Sequence, residues 1–305
     1  AGLEVGQDLQ HRPPAHAGLR PFRGRRPVAS RGQPNPRPIE GLPRVSETKP
    51  QSAAPPASLD VGTGADARRI AVVRREGAGP AGGVLGGVRS DMGGAKALAL
   101  DAWAARTGRA LVRFDYSGHG ASGGRFEDGT IGRWLEEAEA VLDRACRGPV
   151  VLVGSSMGGW IALLLARARR AAGTVAGMVL IAPAPDFTTR LMEAAMPAEA
   201  KAALARDGVW MRPSDYGEPY PITRRLLDES RAHLLLDGPP IDVGCPVHIL
   251  QGVADADVPW THATELVARL GGGDVVLTLV KDGDHRLSRP QDLDRLIAAI
   301  EELHA

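Results

Sequence analysis

Aromatic side chains are scarce in this chain of 305 residues: four Phe, five Trp and three Tyr. So thin a set offers no obvious stacking platform for nucleic-acid bases. Cysteine is scarcer still. Cys146 and Cys245 alone cannot build a disulfide framework, and a zinc site would need several further ligands. No apolar run approaches the roughly 18 residues of a transmembrane helix. Neither sign of charge dominates, with 37 Lys and Arg against 36 Asp and Glu, so the molecule as a whole is no electrostatic binder of nucleic acid. What is present is a hydrophobic fraction of 43% and a charged fraction of 24%, ordinary for a globular domain.

The even charge hides a split. Residues 1–58 hold nine basic and four acidic residues, 9 − 4 = +5, and 11 of the 24 prolines; the remainder holds 28 basic and 32 acidic, or −4. Stretches such as Arg23-Gly24-Arg25-Arg26-Pro27 have neither helical nor strand period. A segment so poor in large apolar residues cannot offset its ordering entropy. Residues 1–65 are therefore expected to be a disordered Pro/Arg-rich tail, and 66–305 the folded domain. The tail lacks the apolar h-region of a secretory signal, and Glu4 and Asp8 sit early, unlike an acid-poor transit peptide. With two unpaired cysteines, this predicts a cytoplasmic location.

From about Arg69 the pattern alternates. Strands are expected at Ile70–Val73, Gly82–Leu85, Ala110–Phe114, Pro149–Val153, Met178–Ile181, Val247–Leu250 and Val275–Val280. Helices are expected over 95–107, 127–145, 158–172, 261–270 and 290–303. Ile131, Trp134, Leu135, Ala138, Val141 and Leu142 stand at i, i+3, i+4 spacing. Several strands are nearly continuous apolar runs, as in a sheet covered on both faces. The fold class is α/β, with a mostly parallel sheet between helical layers. Residues 185–243 break the alternation, read as helices and loops without a strand, and form a small cap insertion. In such sheets ligands bind beyond the carboxyl ends of the strands.

Gly-x-Ser-x-Gly occurs twice. Gly120-Ala121-Ser122-Gly123-Gly124 has loop on both sides and reads as a turn. Gly154-Ser155-Ser156-Met157-Gly158 follows a buried strand directly and opens a helix, the context a nucleophile elbow requires. A serine there needs a base and an acid, in the order Ser, Asp or Glu, His. His233 lies in the insertion, His248 in an apolar strand, and His262 at a helix start where a solvated side chain is expected. His285, in the loop after the last strand, has the right place and order. The preceding strand leads to Asp255 and Asp257; Asp255 is chosen as the acid, with Asp257 the alternative and the better candidate for a turn or cap. An oxyanion hole is expected from the N–H of Met157, after the nucleophile, and of Val88, in the loop after an early strand.

On these residues the chain resembles the α/β-hydrolase superfamily over about 69–305. Asp115-Tyr116-Ser117-Gly118-His119-Gly120-Ala121-Ser122 resembles the family's D-x-x-G-x-G-x-S turn, and Gly252-x-x-Asp255-x-x-Val258-Pro259 its acid loop. In finer detail, Arg113–Ser122, Gly154–Trp160, Gly208-Val209-Trp210, Val258-Pro259-Trp260 and Asp284-His285-Arg286 resemble the branch of mitochondrial palmitoyl-protein thioesterases, which also act as acyl-glucuronide esterases, and their bacterial relatives. Gly86 stands where that branch is expected to carry Pro.

The resemblance implies a serine esterase or thioesterase forming an acyl-enzyme on a small-molecule ester or thioester, with no metal or organic cofactor. A serine peptidase, a C–C bond hydrolase, and a non-catalytic ligand-binding member are the alternatives. Met192, Met196 and Trp210 of the cap are the expected substrate-binding residues, with leucines such as Leu191 beside them, since flexible apolar side chains can line an adaptable pocket; the alternative is that these side chains only fasten the cap to the core.

Overall fold

A computed structural model describes residues 56–214 and 218–304. Most of the expected tail therefore lies outside the described residues. Its predicted edge at 65 is too late, because Ala57–Val61 is a strand. The strands, in chain order, are β1 (Ala57–Val61), β2 (Arg68–Arg75), β3 (Ala78–Leu85), β4 (Arg109–Phe114), β5 (Val150–Ser155), β6 (Val175–Ile181), β7 (Val209–Arg212), β8 (Tyr220–Thr223), β9 (Ile241–Asp242), β10 (Val247–Gly252), β11 (Leu270–Gly271) and β12 (Val275–Val280). The α-helices are α1 (Ala95–Thr107), α2 (Ile131–Ala145), α3 (Met157–Arg169), α4 (Ala198–Asp207), α5 (Arg224–Ser230), α6 (Trp260–Arg269) and α7 (Pro290–Glu302).

Eight strands form one sheet in the order β1-β2-β4-β3-β5-β6-β10-β12. From β4 to β12 every pairing is parallel; β2 runs antiparallel to β4 and to β1. This is the α/β architecture the alternating pattern predicted. β5 and β6 lie in its middle and are almost wholly buried, which is why their sequences are apolar on both faces. One core, on the face with α2 and α3, includes Trp134, Trp160, Ile161 and Leu163. Another, on the face with α1 and α7, includes Leu100, Trp103, Leu296 and Ile300.

Local signals account for the helix ends. Gly108 closes α1 in the left-handed conformation at φ 67°. Thr130 caps α2 by accepting from the Arg133 N–H, so α2 starts at Ile131 rather than 127, and Phe126–Asp128 is a separate 3₁₀ turn. Pro290 occupies the first turn of α7, where its missing N–H costs nothing.

The crossover between the neighbouring strands β6 and β10 carries the cap. Contrary to the expectation of helices and loops alone, it contains the antiparallel hairpin of β7 and β8, with Trp210 opposite Ile222. These are four-residue strands, one containing Pro221, tolerable because a two-stranded ribbon has only edges. Asp186 fastens the cap's beginning to its end. Its carboxylate accepts from the N–H groups of Leu235 and Leu236, both at 2.8 Å.

Candidate active site

β5 ends at Ser155, and α3 starts at Met157. Ser156 between them takes φ 54° and ψ −118°, a conformation costing about 1–3 kcal/mol for a residue with a side chain. The strain is held from several sides. The Ser156 N–H donates to the Ile181 carbonyl at 2.9 Å, and the Ser156 carbonyl accepts from Gly159 at 2.9 Å and Ala184 at 3.2 Å. Both flanking glycines are forced. A Cβ at Gly154 would stand 2.5 Å from the Gly158 carbonyl oxygen; one at Gly158, 2.2 Å from that of Leu85.

His285 comes from the loop between β12 and α7. Its Nε2 lies 3.2 Å from Ser156 Oγ, and its Nδ1 lies 2.8 Å from Asp255 Oδ2. The Asp255 side chain is fully buried and that of His285 18% exposed. Asp255 Oδ1 accepts from the N–H groups of Asp257 at 2.9 Å and Val258 at 2.8 Å, and Oδ2 also accepts from Gln251 Nε2 at 3.2 Å. With His285, four donors occupy the four acceptor directions of a carboxylate. Asp255, Asp257 and His285 offer ligand atoms within 4.8 Å of one another, but a carboxylate so occupied has nothing left for a cation. The structure thus brings Asp255, not Asp257, to His285; Asp257 faces Arg212, with Oδ1 3.8 Å from Nη2.

Met157 is the first residue of α3, so its N–H has no intrahelical acceptor. Val88 lies in the loop Gly86–Ser90 after β3 and lines the cavity. Leu85 pairs with Gly154, bringing this loop against the elbow. A Cβ at Gly87 would approach Ser156 Cβ and the Ser155 carbonyl to 3.3 Å. Where Pro was expected, Gly86 is followed by a turn closed by Ser90, whose N–H and Oγ both donate to the Gly87 carbonyl.

Asp115 fixes the far side of the same loop. Burial pushes its carboxyl upward, yet it accepts from the N–H groups of Met92 at 2.6 Å and Ala121 at 2.8 Å. Arg113 Nη1 donates to the Met92 carbonyl at 2.7 Å. The second Gly-x-Ser-x-Gly is part of this brace. Ser122 Oγ donates to the Asp115 carbonyl at 2.6 Å and accepts from the Ala71 N–H at 2.8 Å. Gly120 has φ 46°, and a Cβ there would lie 2.1 Å from Asp115 Oδ2, which explains the glycine in that turn. Ser122 is a turn residue, as expected.

A cavity of about 630 Å³ opens above Ser156 and His285, within the range of small-molecule sites. The loop Gly86–Met92, Lys96 and Tyr116 line it, with Phe187, Leu191, Met192, Ala195, Arg212 and Tyr220 from the cap side. Met192 is where the sequence reading put it. Met196 and Trp210 are not: Met196 is buried in the core and Trp210 packs against it, and neither lines the cavity. Leu191, one of the leucines expected to be able to line a pocket in the cap, does so; sequence analysis missed the face it forms with Phe187 and Ala195. Their i, i+4, i+8 spacing was the available signal, obscured because Thr188–Glu193 is a π-helical stretch. His262 also differs from expectation. It is buried, with Nε2 2.8 Å from the Pro185 carbonyl, because the side of α6 carrying His262 and Ala263 packs against the cap's beginning while Trp260 and Thr261 face solvent.

Comparison with known proteins completes the description. A family model described as "Serine aminopeptidase, S33" matches residues 90–225. The chain is 36% identical over 241 residues to the bovine "Palmitoyl-protein thioesterase ABHD10, mitochondrial", covering 78% of this chain and 77% of that one. Among solved structures it is similar to a putative hydrolase from Agrobacterium vitis S4, at 53% identity and TM-score 0.79, covering 82% of this chain and 98% of the other. It is also similar to mouse alpha/beta hydrolase domain-containing protein 10, at 35% identity and TM-score 0.73, covering 81% and 98%. The mammalian relatives, bovine and human among them, are named as mitochondrial proteins, which overturns the expected cytoplasmic location. Unpaired thiols indicate reducing surroundings but not the compartment that supplies them.

Proposed function

The chain belongs to the α/β-hydrolase family that includes these palmitoyl-protein thioesterases, and from that premise we propose that it hydrolyses carboxylic esters or thioesters by way of an acyl-enzyme on Ser156. The observation that carries the reading is one unbroken chain of contacts, Ser156 Oγ to His285 Nε2 and His285 Nδ1 to Asp255 Oδ2, at the floor of the cavity. His285 takes the Ser156 proton as Oγ attacks the acyl carbon, then returns it to the leaving alcohol or thiol. Asp255 holds the tautomer with its proton on Nδ1 and stabilises the imidazolium without taking that proton. The N–H groups of Met157 and Val88 receive the oxyanion. Water, deprotonated by His285, releases the acid.

The relatives' name favours a long-chain acyl thioester, and Tyr116, Phe187, Leu191 and Met192 give the cavity an apolar wall for the chain. Each buried CH₂ is worth about 0.8 kcal/mol, close to fourfold in affinity. A fluorophosphonate should label wild-type protein on Ser156 and leave Ser156→Ala unmodified. Over acyl thioesters from two to sixteen carbons, kcat/KM should climb several-fold per two carbons until the chain fills the cavity, and Met192→Ala should flatten the climb. Absence of label on folded protein would sink the enzymatic reading. A flat series would remove the acyl pocket but leave the chemistry standing. The serine aminopeptidase description makes aminoacyl p-nitroanilides the natural control, and faster turnover of these than of thioesters would favour a peptidase.

A further inference from the structure

Lys96 is the second residue of α1, at the helix end where the dipole disfavours a cation. It stands half-buried in the cavity wall with His285, Arg286 and Ser288. Its Nζ donates to the Arg286 carbonyl at 2.6 Å and lies 3.5 Å from Ser288 Oγ. A side chain from the first α-helix thus grips the residue next to His285. The other flank of the loop is held by the Ala254 N–H, which donates to the Gly283 carbonyl at 3.0 Å. Just past the gripped carbonyl, the Leu287 N–H donates back to Asp284 Oδ1 at 2.9 Å, and Leu287 takes φ 42°. We propose that Lys96 is a positioning residue for His285, holding through the Arg286 carbonyl the loop that sets the distance from Nε2 to Ser156. The proposal rests on the reading of Ser156 and His285 as nucleophile and base.

An ammonium donor makes a stronger bond than a neutral amine. Burial, helped by Arg286 and opposed by Asp284, brings Lys96 down to about 8. The other charged and titratable groups on this wall are His285, and Arg89 and Asp91 from the loop before α1; Arg212, Asp257, Tyr116 and Tyr220 also line the cavity, the two phenols pushed up by burial and so neutral over this range. The sign follows directly. The charged bond approaches completion one to two pH units below about 8, is half lost near 8 and weakens further above it, so activity should decline on the alkaline side.

The test uses the full chain, with hydrolysis of p-nitrophenyl acetate and fluorophosphonate labelling of Ser156 measured from pH 6 to 9.5. A small displacement of a reacting group can cost up to about a hundredfold in rate. Lys96→Met should lower kcat about tenfold, leave KM within about twofold, and abolish the decline above pH 8. Lys96→Arg, which does not titrate there, should restore most of kcat and hold the plateau to higher pH. Wild-type kcat in Lys96→Met, a persisting decline above pH 8, or a loss confined to KM would each overturn the proposal. If Lys96→Met fails to fold, Lys96→Arg decides alone, and an alkaline limb unmoved from wild type would overturn it. A wild type that takes no label removes the site reading and this proposal with it. Equal labelling rates of wild type and Lys96→Met remove only the positioning role.

Discussion

Ser156 holds a strained backbone in a turn that closes because Gly154 and Gly158, two residues to either side, carry no side chains. Gly158→Ala should therefore be worse than a helix propensity scale suggests. The methyl would meet the Leu85 and Gly86 carbonyls at 2.2 and 2.6 Å, and the loop carrying Val88 would have to retreat. Overpacking of this kind costs about 1–3 kcal/mol, so thermal denaturation should show a fall in Tm together with a fall in kcat of about tenfold or more. Ser156→Ala and His285→Ala should each cost on the order of 10³-fold or more in kcat for a p-nitrophenyl ester, and the double variant little beyond either, since the residues act as a unit. Losses that add would contradict a shared role. Ser156, Asp255 and His285 could be read from the sequence because each sits in a loop directly after an apolar strand, where chain order constrains the partners. His262, Met196 and Trp210 could not. Their surroundings come from segments far along the chain, and a one-dimensional pattern gives the side of a helix without saying what covers it.

Among the elements, α2 is tied to the sheet by a buried ion pair. Arg68 Nε of β2 lies 2.6 Å from Glu137 Oε1, with side chains 1% and 0% exposed, and Glu137 Oε2 accepts from the Ser117 N–H at 2.8 Å. Removing one partner of such a pair leaves a charge with nowhere to go, at a cost of about 3–5 kcal/mol. Arg68→Met should fall toward the lower end by urea denaturation, because Arg133 Nε lies 3.8 Å from the same carboxylate. A change below about 1 kcal/mol would mean that Arg133 compensates. The sheet and its covering helices were legible because buried parallel strands and amphipathic helices carry distinct periods. β1 and the hairpin of β7 and β8 were not. β1 is largely exposed, and the hairpin strands are four residues each, too short for a period to register.

For the whole molecule, the described fold already includes β1, ahead of the expected edge at residue 65. Its five residues pair with Arg68–Val72, and Val61 joins the core. Removing residues 1–55 should leave Tm unchanged, whereas removing 1–62 should lower it by several degrees, as calorimetry would register. Equal Tm values for the two truncations would deny β1 any stabilising part. The crossover between β6 and β10 has a further consequence, in terms of descent. It enters and leaves the sheet between adjacent strands, and Asp186 at its start is bonded to Leu235 and Leu236 near its end, so its two ends close at one joint, while bonds such as Trp160 Nε1 to the His233 carbonyl attach its body to the scaffold. Such a joint lets a lineage exchange its roof without rebuilding the hearth beneath. A chimera carrying residues 186–236 from the Agrobacterium vitis relative should keep its fluorophosphonate reactivity while adopting the donor's order of preference among acyl chains.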